Sequence, residues 1–386
     1  MNDANLLKNC TDFKEINKFY LLFGPACNMQ CRHCFQEPIK HKKMCQNTIK
    51  PEVRDLIGNY IQYIIQQKQS GIVVFWGGEP LLHWNLIQEL ITYYTNKFNL
   101  LNLNEQQGLV FGITTNGLLL NEEKINFLNK YRIKTSLSYD APYPFAVRGK
   151  VPDKVCELAK TLKYFSTIST FNAINYDFFL AIRCLQKKFP NVPHRKNFGL
   201  IQTFDMPKDI YSFNLPSIEK AVKKLRIAAS LGNEEAAHAF FNILMPLKFP
   251  KQNEGFRKNL IRNCCTGFTS YSITLNGDVI SCHNSDEMIG TIEEETDKVN
   301  TNSRKVLLSR KSTECATCEH LDICTGKCTT TLQDENGRFQ ICNLFWKPFY
   351  TYIKNEAIHL NRQPTEEELS WFYEEWKKDD KIVENF

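Results

Sequence analysis

The number and spacing of the cysteines constrain this chain more than any other feature of its sequence. Fifteen cysteines occur in 386 residues, with three near residue 30 and eight between residues 264 and 342. The first residues, Met1 to Asn5, lack the basic and apolar segments of a signal peptide, and no apolar run reaches the length of a membrane span. We therefore expect a cytoplasmic protein. In that reducing compartment, closely spaced cysteines indicate bound metal rather than disulfides.

Cys27, Cys31 and Cys34 form the first group, with C-x3-C-x2-C spacing in a loop that directly follows a predicted strand. Three thiolates at this spacing suit an iron–sulfur cubane and leave one iron open to an external ligand. A structural zinc site would use four ligands, with a second pair close by. Inert buried thiols are the remaining alternative. The presence of three cysteines in one loop argues against this alternative.

The first two hundred residues alternate short apolar runs with longer amphipathic stretches. This alternation predicts a parallel sheet with right-handed crossovers. With six βα units, we expect an α/β fold with a partial (β/α)6 TIM-like barrel. The predicted strands are Phe19–Phe23, Ile72–Trp76, Leu109–Ile113, Lys134–Ser138, Ile168–Phe171 and Phe198–Gln202. The predicted helices between them are Pro51–Gln69, Trp84–Phe98, Glu122–Tyr131, Asp153–Tyr164 and Tyr176–Phe189. Functional residues of such barrels gather at the carboxyl ends of the strands.

Polar segments follow the second, third and fourth predicted strands. Gly77-Gly78-Glu79-Pro80 allows close approach of the backbone to a ligand and offers a carboxylate to a cation. Asn116 and Ser138 follow the next two strands, and Arg148 lies ten residues beyond Ser138. A guanidinium suits a carboxylate because its fork can bind both oxygens. Taken alone, the Gly-Gly and Asn-Gly pairs are also turn sequences.

Together with the cysteine loop, these segments resemble the radical S-adenosylmethionine (SAM) superfamily over the first two hundred residues. The resemblance implies that Cys27, Cys31 and Cys34 hold a [4Fe–4S] cluster whose open iron is chelated by SAM. The residues that it implies in SAM binding are Phe35, Gly77, Gly78, Glu79, Pro80, Thr115, Asn116, Ser138 and Arg148. Tyr139 and Ala141 depart from the family's usual Ser-Leu-Asp-Gly sequence.

Within that set, the resemblance assigns separate parts of SAM to separate residues. Phe35 would lie near the adenine, and the Gly77–Pro80 segment would receive the methionine ammonium. The turn at Asn116 would lie near the ribose, while Ser138 and Arg148 would hold the carboxylate.

The second cysteine group resembles the SPASM domain, a C-terminal extension of radical SAM enzymes that carries two auxiliary [4Fe–4S] clusters. Its spacing is Cys265-x11-Gly277-x4-Cys282, then Cys315-x2-Cys318-x5-Cys324-x3-Cys328, and finally Cys342. The resemblance implies Cys315, Cys318, Cys324 and Cys342 as ligands of the outer cluster. It implies Cys265, Cys282 and Cys328 for the inner cluster, with Cys264 as a further candidate that decides whether an iron stays open. A zinc ribbon is the alternative for the closely spaced cysteines.

These patterns divide the chain into four predicted parts. They are the radical SAM partial barrel at 1–215, a helical linker at 216–260, the SPASM domain at 261–350 and a helical tail at 351–386. The SPASM region is turn-rich, so we expect its clusters to stabilise it. Cys10, Cys45, Cys156 and Cys184 are interpreted as ordinary thiols. The net charge is only +6, and no basic run is long enough to predict nucleic-acid binding.

The resemblance implies a peptide-modifying maturase that abstracts a substrate hydrogen with a 5′-deoxyadenosyl radical. The expected product is a carbon–carbon or thioether cross-link within a ribosomally made peptide. The implied partners are a peptide or protein substrate and an electron donor such as flavodoxin or ferredoxin. Because the first predicted strand begins near residue 19, we expect no N-terminal leader-binding domain, and a separate leader-binding protein becomes a candidate partner.

Other functions remain open at this point. Anaerobic sulfatase-type formylglycine maturation and small-molecule radical dehydrogenation are the enzymatic alternatives, and a zinc- or cluster-stabilised binding module is the non-enzymatic one. Sulfatase maturases carry an aspartate base directly after the cysteine that corresponds to Cys282, where this chain has His283. His283 could take a proton or donate to cluster sulfurs. Tyr139, Asp140 and Tyr271 are cleft candidates without an assigned role.

Overall fold

The computed structural model describes residues 16, 18–34, 36, 47–67, 69–102, 109–149, 151–190, 192, 194–197, 210, 212–240, 270–283, 287–294, 298–299, 302, 318–320, 343 and 346–386. Several predicted site residues lie outside the described residues, namely Phe35, Cys264, Cys265, Cys315, Cys324, Cys328 and Cys342. The predicted strand Phe198–Gln202 also lies outside them.

Six parallel strands form the barrel part of the sheet. Their bounds are β1 Lys18–Leu22, β2 Gly71–Trp76, β3 Leu109–Thr115, β4 Lys134–Ser138, β5 Phe165–Thr170 and β6 His194–Asn197. Each strand pairs in parallel with the next along the chain. The predicted α/β class and partial barrel are therefore confirmed. β6 is an edge strand with the polar sequence His-Arg-Lys-Asn, so it carries none of the apolar signal by which strands are predicted.

Helices connect these strands and cover one face of the sheet. Their bounds are α1 Pro51–Gln66, α2 Trp84–Phe98, α3 Glu122–Lys130, α4 Pro144–Val147, α5 Asp153–Lys160 and α6 Phe178–Lys188. Apolar residues of α1 at three- and four-residue steps, such as Val53 and Ile57, pack in one core with Phe19 and Leu21 of β1. The alternate residues of each strand face the barrel interior. No helix in the described part of the chain combines the length and apolarity needed to cross a membrane.

Three further strands extend the sheet beyond β1. They are β7 Ser270–Thr274, β8 Asp278–Ile280 and β9 Met288–Thr291. β7 pairs in parallel with β1, and β8 and β9 follow in antiparallel order. Gly277 adopts a φ of 93° between β7 and β8, a conformation that favours glycine. Cys282 therefore follows a strand that is joined by main-chain hydrogen bonds to the barrel sheet. The sequence predicts no strands here because these runs are short.

Three C-terminal helices form a second core with α6. They are α7 Leu215–Ser230, α8 Lys347–Ala357 and α9 Glu366–Asn385. Phe179 of α6 packs against Phe372 of α9, and Phe349 of α8 belongs to the same cluster. The helices predicted as a linker and a tail thus pack on one another and on the barrel.

Buried ion pairs link these helices. Arg226 of α7 has a fully buried side chain, and its Nε lies 2.8 Å from Glu356 Oε2 on α8. Its Nη2 lies 2.5 Å from Glu368 Oε1 on α9. Lys224 is held in the same way between Asp177 and Asp379. Buried charges are tolerated only with such partners, so these pairs fix the packing of α7, α8 and α9.

We expect Arg226→Met to destabilise the protein by about 3 kcal/mol, because it leaves Glu356 without its buried cation and Glu368 with only the partly exposed Arg362. Hydrogen–deuterium exchange of α9 should rise with the loss of the Glu368 contact. Lys378→Met is the matched control, since it removes an exposed ion pair to Glu375 on the same helix and should leave the unfolding midpoint unchanged. Equal midpoints for the two variants would contradict the role of Arg226 in helix packing.

Candidate active site

The carboxyl ends of β1 to β5 surround one open cleft. The residues that line it are Cys27, Met29, Cys31, His33, Cys34, Gln36, Trp76, Gly77, Gly78, Thr114, Thr115, Asn116, Ser138, Arg148, Ile168 and Thr170. Most of the described residues that the sequence assigns to the cluster and SAM are in this set. Glu79 and Pro80 are buried beside it. The parallel sheet brings these distant segments together because all its strands end at one edge.

N–H donors point at two sulfurs of the first cysteine group. The Met29 N–H lies 3.4 Å from Cys27 Sγ, and Asn116 Nδ2 lies 3.8 Å from the same sulfur. Arg148 Nη1 lies 3.9 Å from Cys31 Sγ. Donors of this kind support the thiolate ligands of iron–sulfur clusters, so the residues present fit such a cluster. Among the described residues, no three His, Cys, Asp or Glu side chains converge closely enough for a single metal ion.

Arg148 is also the main cation near the cysteines. Burial raises the pKa of the Cys31 thiol above its usual value, Arg148 opposes that rise, and Cys34 and Cys27 add to it. A thiol must lose its proton to become a metal ligand. The guanidinium of Arg148 therefore favours the state of Cys31 that ligation requires.

The glycines that follow β2 lie against the backbone of the cysteine loop. The Gly78 N–H donates to the carbonyl of Gly24 at 2.9 Å. A Cβ at Gly78 would lie 2.3 Å from the carbonyl oxygens of Pro25 and Ala26, and a Cβ at Gly77 would lie 2.6 Å from that of Gly24. The sequence predicts that these glycines let the backbone approach a ligand. In the structure, their missing side chains let two loops of the protein approach each other.

The Glu79 carboxylate joins the loop after β2 to the end of β3. Its Oε1 accepts hydrogen bonds from the Leu81 N–H at 3.0 Å and the Thr115 hydroxyl at 2.7 Å. Its Oε2 accepts the Asn116 N–H at 2.7 Å. Burial raises the pKa of Glu79, and the hydrogen bonds oppose that rise. Glu79 thus positions Thr115 and Asn116, while its contact with a SAM ammonium stays a prediction.

Asp140 joins three other segments of the site. Its side chain is fully buried; Oδ2 forms an ion pair with Arg148 Nε at 2.5 Å and lies 3.2 Å from His33 Nε2. Oδ1 accepts the Thr170 N–H at 2.5 Å. Burial alone would raise the pKa of Asp140, but Arg148, His33 and the Thr170 N–H lower it to about 2. The carboxylate is therefore charged at neutral pH.

Seven residues that line the cleft are not among the predicted site residues, namely Met29, His33, Gln36, Trp76, Thr114, Ile168 and Thr170. His33 lies between two cysteines, and its place in the cleft could have been inferred from that position. Thr170 and Ser166 lie on the same face of β5, and Ser166 Oγ lies 2.9 Å from Ser136 Oγ on the neighbouring strand β4. The two-residue period of a strand could therefore have predicted a polar face in the barrel interior.

The two aromatic cleft candidates, Tyr139 and Tyr271, do not line the cleft. Tyr139 follows Ser138 and so points to the opposite face, where it packs edge-on against Phe189 in the main core. Tyr271 stacks on Phe19 at 6.2 Å between ring centroids, also against the main core. Strand alternation explains both outcomes.

An aromatic group adjoins the cleft on the side of β1 and β2. The rings of Tyr20 and His283 stack at 4.1 Å between centroids, and Trp76 meets His283 edge-on at 4.8 Å. Burial is the main cause that lowers the pKa of His283 to about 3, with a smaller contribution from Lys18. His283 is therefore neutral at physiological pH. Its Nδ1 and Trp76 Nε1 are buried and have no hydrogen-bond partner in the described structure.

The chain is similar in sequence to radical SAM proteins. Residues 21–172 match the family model described as the Radical SAM superfamily. The chain is 24% identical over 349 residues to the radical SAM cyclopropyl synthase TigE of Paramaledivibacter caminithermalis, a match that covers 84% of this chain and 70% of TigE. The matched region is a radical SAM domain, which implies a [4Fe–4S] cluster and SAM, and the matches indicate an enzyme.

Solved structures share the fold. The structure of anSMEcpe with bound AdoMet and a Cp18Cys peptide is similar with a TM-score of 0.57 at 19% identity, over 89% of this chain and 99% of that one. Streptococcus suis SuiB bound to S-adenosylmethionine is similar with a TM-score of 0.53 at 16% identity, over 88% of this chain and 80% of SuiB. At these identities the likeness concerns the fold.

We expect Gly78→Ala to separate the loop after β2 from the cysteine loop, because the new methyl group would overlap two backbone oxygens that cannot rotate away. Anaerobically reconstituted Gly78→Ala should therefore contain less iron than the wild type. Gly58→Ala is the matched control, since a Cβ there meets nothing closer than 3.8 Å, and alanine in a helix should be neutral or stabilising. Wild-type iron content in Gly78→Ala would contradict the proposed loop contact.

Proposed function

We propose that this chain, an enzyme that carries a radical SAM domain, is a peptide maturase that forms an intramolecular cross-link in its substrate. The observation that carries the proposal is the single cleft in which Cys27, Cys31 and Cys34 face the polar ends of β2 to β5. In this proposal the three cysteines hold a [4Fe–4S] cluster, and SAM is bound beside it.

The residues of the cleft supply both charges that SAM binding needs. The guanidinium of Arg148 would hold the carboxylate together with Ser138, and the loop of Gly77 to Pro80 would receive the ammonium. Thr115 and Asn116, fixed by Glu79, would face the ribose, and Phe35 would lie near the adenine. The chemistry that SAM would supply beside a reduced cluster is a 5′-deoxyadenosyl radical for abstraction of a substrate hydrogen atom.

The interior of the barrel divides into two chemically different halves. Thr114, Ser138 and Thr170 give the half beneath β3 to β5 a polar surface, which suits the polar groups of SAM. Tyr20, Trp76 and His283 give the other half an aromatic surface. We assign the substrate side chain to the aromatic half, because Trp76 borders the cleft and its indole N–H is unpaired within the described structure.

The relatives support a peptide substrate and bond formation within it. The similar structure of anSMEcpe holds a Cp18Cys peptide together with AdoMet. TigE is a cyclopropyl synthase, and closing a cyclopropane ring joins two carbons of one molecule. A cross-link that removes a hydrogen pair from one peptide is therefore the product we assign. Carbon–carbon and thioether linkages both meet this description.

The second cysteine group would hold two auxiliary [4Fe–4S] clusters. Cys282 is buried next to the barrel sheet and Cys318 is half-buried. Cys264, Cys265, Cys315, Cys324, Cys328 and Cys342 complete the proposed ligand set. A flavodoxin or ferredoxin would deliver electrons, and a separate leader-binding protein is a further proposed partner.

Anaerobic co-expression with short peptides encoded beside the gene tests the proposal. We expect the intact mass of one peptide to fall by a hydrogen pair, with fragment masses that confine the change to one segment. Cys31→Ser should abolish both this change and 5′-deoxyadenosine formation, while Cys156→Ser, a buried thiol outside the cleft, should abolish neither. A mass change that fits an aldehyde would favour formylglycine formation instead. Unmodified peptides despite SAM cleavage would contradict the cross-linking assignment.

We expect Trp76→Phe to lower the yield of modified peptide several-fold while 5′-deoxyadenosine still forms, since the substitution removes the N–H but keeps an aromatic ring. Trp84→Phe is a matched control, because Trp84 Nε1 is likewise buried and unpaired in the described structure but lies in the core on α2. Chromatography of the nucleoside and mass spectrometry of the peptide measure the two effects separately. A parallel loss of both products in Trp76→Phe would place Trp76 with SAM instead.

A further inference from the structure

One buried carboxylate orients the arginine that faces the first cysteine group. Asp140 Oδ2 lies 2.5 Å from Arg148 Nε, the guanidinium nitrogen nearest the chain. The two terminal nitrogens stay directed at the cleft, with Nη1 3.9 Å from Cys31 Sγ and Nη2 3.5 Å from Thr170 Oγ1. Asp140 therefore contacts the guanidinium at Nε, and the two terminal nitrogens remain directed at the cleft, where they can meet an anion.

Asp140 is itself fixed from several sides. The main-chain N–H of Thr170 donates to Oδ1 at 2.5 Å, and His33 Nε2 lies 3.2 Å from Oδ2. A carboxylate with a main-chain donor on Oδ1, Arg148 and His33 beside Oδ2 and no exposed surface is restricted in its orientation. Asp140 follows β4, and its partners Thr170 and His33 lie on β5 and in the cysteine loop. Asp140 therefore positions Arg148 relative to both of these segments.

The cysteine loop has other contacts to α4 that do not involve Asp140. The Arg32 N–H donates to the Val147 carbonyl at 2.8 Å, and Arg32 Nη1 donates to the Ala146 carbonyl at 2.9 Å. His33 Nδ1 lies 3.2 Å from the same Val147 oxygen. The position of the cysteines thus depends on contacts with the main-chain carbonyls of α4, whereas the direction of the Arg148 side chain depends on Asp140.

We infer that Asp140 is a positioning residue that acts through Arg148, by aiming its terminal nitrogens at the carboxylate of an amino-acid-bearing ligand next to Cys31. The inference rests on the proposed function, in which that ligand is SAM. It assigns Asp140 no direct contact with SAM and no part in holding the cluster. Loss of Asp140 should therefore weaken SAM binding while the iron remains.

The experiment compares Asp140→Asn, Arg148→Met and the double variant as anaerobically reconstituted proteins. We expect each single substitution to weaken SAM binding about tenfold or more in equilibrium dialysis. Because Asp140 acts through Arg148, the double variant should bind SAM no more weakly than Arg148→Met alone. The change that SAM causes in the electron paramagnetic resonance spectrum of the reduced cluster should shrink in all three, while the iron content of Asp140→Asn stays at the wild-type value.

Asp379→Asn provides the matched control. Asp379 is also a buried carboxylate in ion pairs, with Lys224 and Arg183, but it lies on α9 and does not line the cleft. We expect this variant to unfold at a lower temperature and to bind SAM like the wild type. A purely structural role for Asp140 would give Asp140→Asn the same behaviour as Asp379→Asn.

Several results would overturn the inference. They are wild-type SAM affinity in Asp140→Asn, multiplicative losses in the double variant, and loss of iron from Asp140→Asn but not from Arg148→Met. The last result would show that Asp140 acts on the cysteine loop. Failure of the proposed SAM site looks different, because the wild-type protein itself would then neither hold a cluster nor bind SAM; failure of the cross-linking assignment would leave SAM binding intact and the peptide unmodified.

Discussion

The site depends on a contact that only glycine permits, the approach of the loop after β2 to the backbone of the cysteine loop. Gly78 donates to the Gly24 carbonyl, and a Cβ at this position would overlap two further backbone oxygens. This contact places Cys27 next to the end of β3, where Asn116 Nδ2 can reach its sulfur. Without it, the first cysteine group and the polar strand ends would face separate spaces. The glycines are therefore as important for assembling the cleft as the residues that line it.

Two buried carboxylates hold the assembled cleft on opposite sides, and their electrostatics differ. Glu79 accepts only from neutral donors, and burial raises its pKa. Asp140 faces Arg148 and His33, and these partners outweigh burial and lower its pKa to about 2. Glu79 thus fixes the geometry of Thr115 and Asn116, while Asp140 holds the Arg148 guanidinium next to the cysteines. In the proposed mode of SAM binding, Thr115 and Asn116 face the ribose and Arg148 faces the SAM carboxylate.

Much of the fold and the site could be predicted from the sequence, because both follow from strand order. β4 and α2 have the predicted bounds, and the buried residues of α2 recur at the three- and four-residue steps that predict a helix. The polar strand ends share one cleft because parallel strands end together. β6 was missed because an edge strand can be polar, and β7 to β9 because strands of three to five residues give little periodic signal. The pairing of Asp140 with His33 and Arg148 was not predictable, since it depends on loop conformations that no periodicity specifies.

The most direct measurement of the central claim is electron–nuclear double resonance of the reduced enzyme with SAM that is isotopically labelled in its amino and carboxylate groups. We expect hyperfine coupling between these labels and the cluster held by Cys27, Cys31 and Cys34. The coupling should vanish when the three cysteines are replaced by alanine, even though the second cysteine group is intact. Coupling that survives this replacement, or its absence in an iron-replete wild-type protein, would contradict the claim that this cleft binds SAM at a cluster.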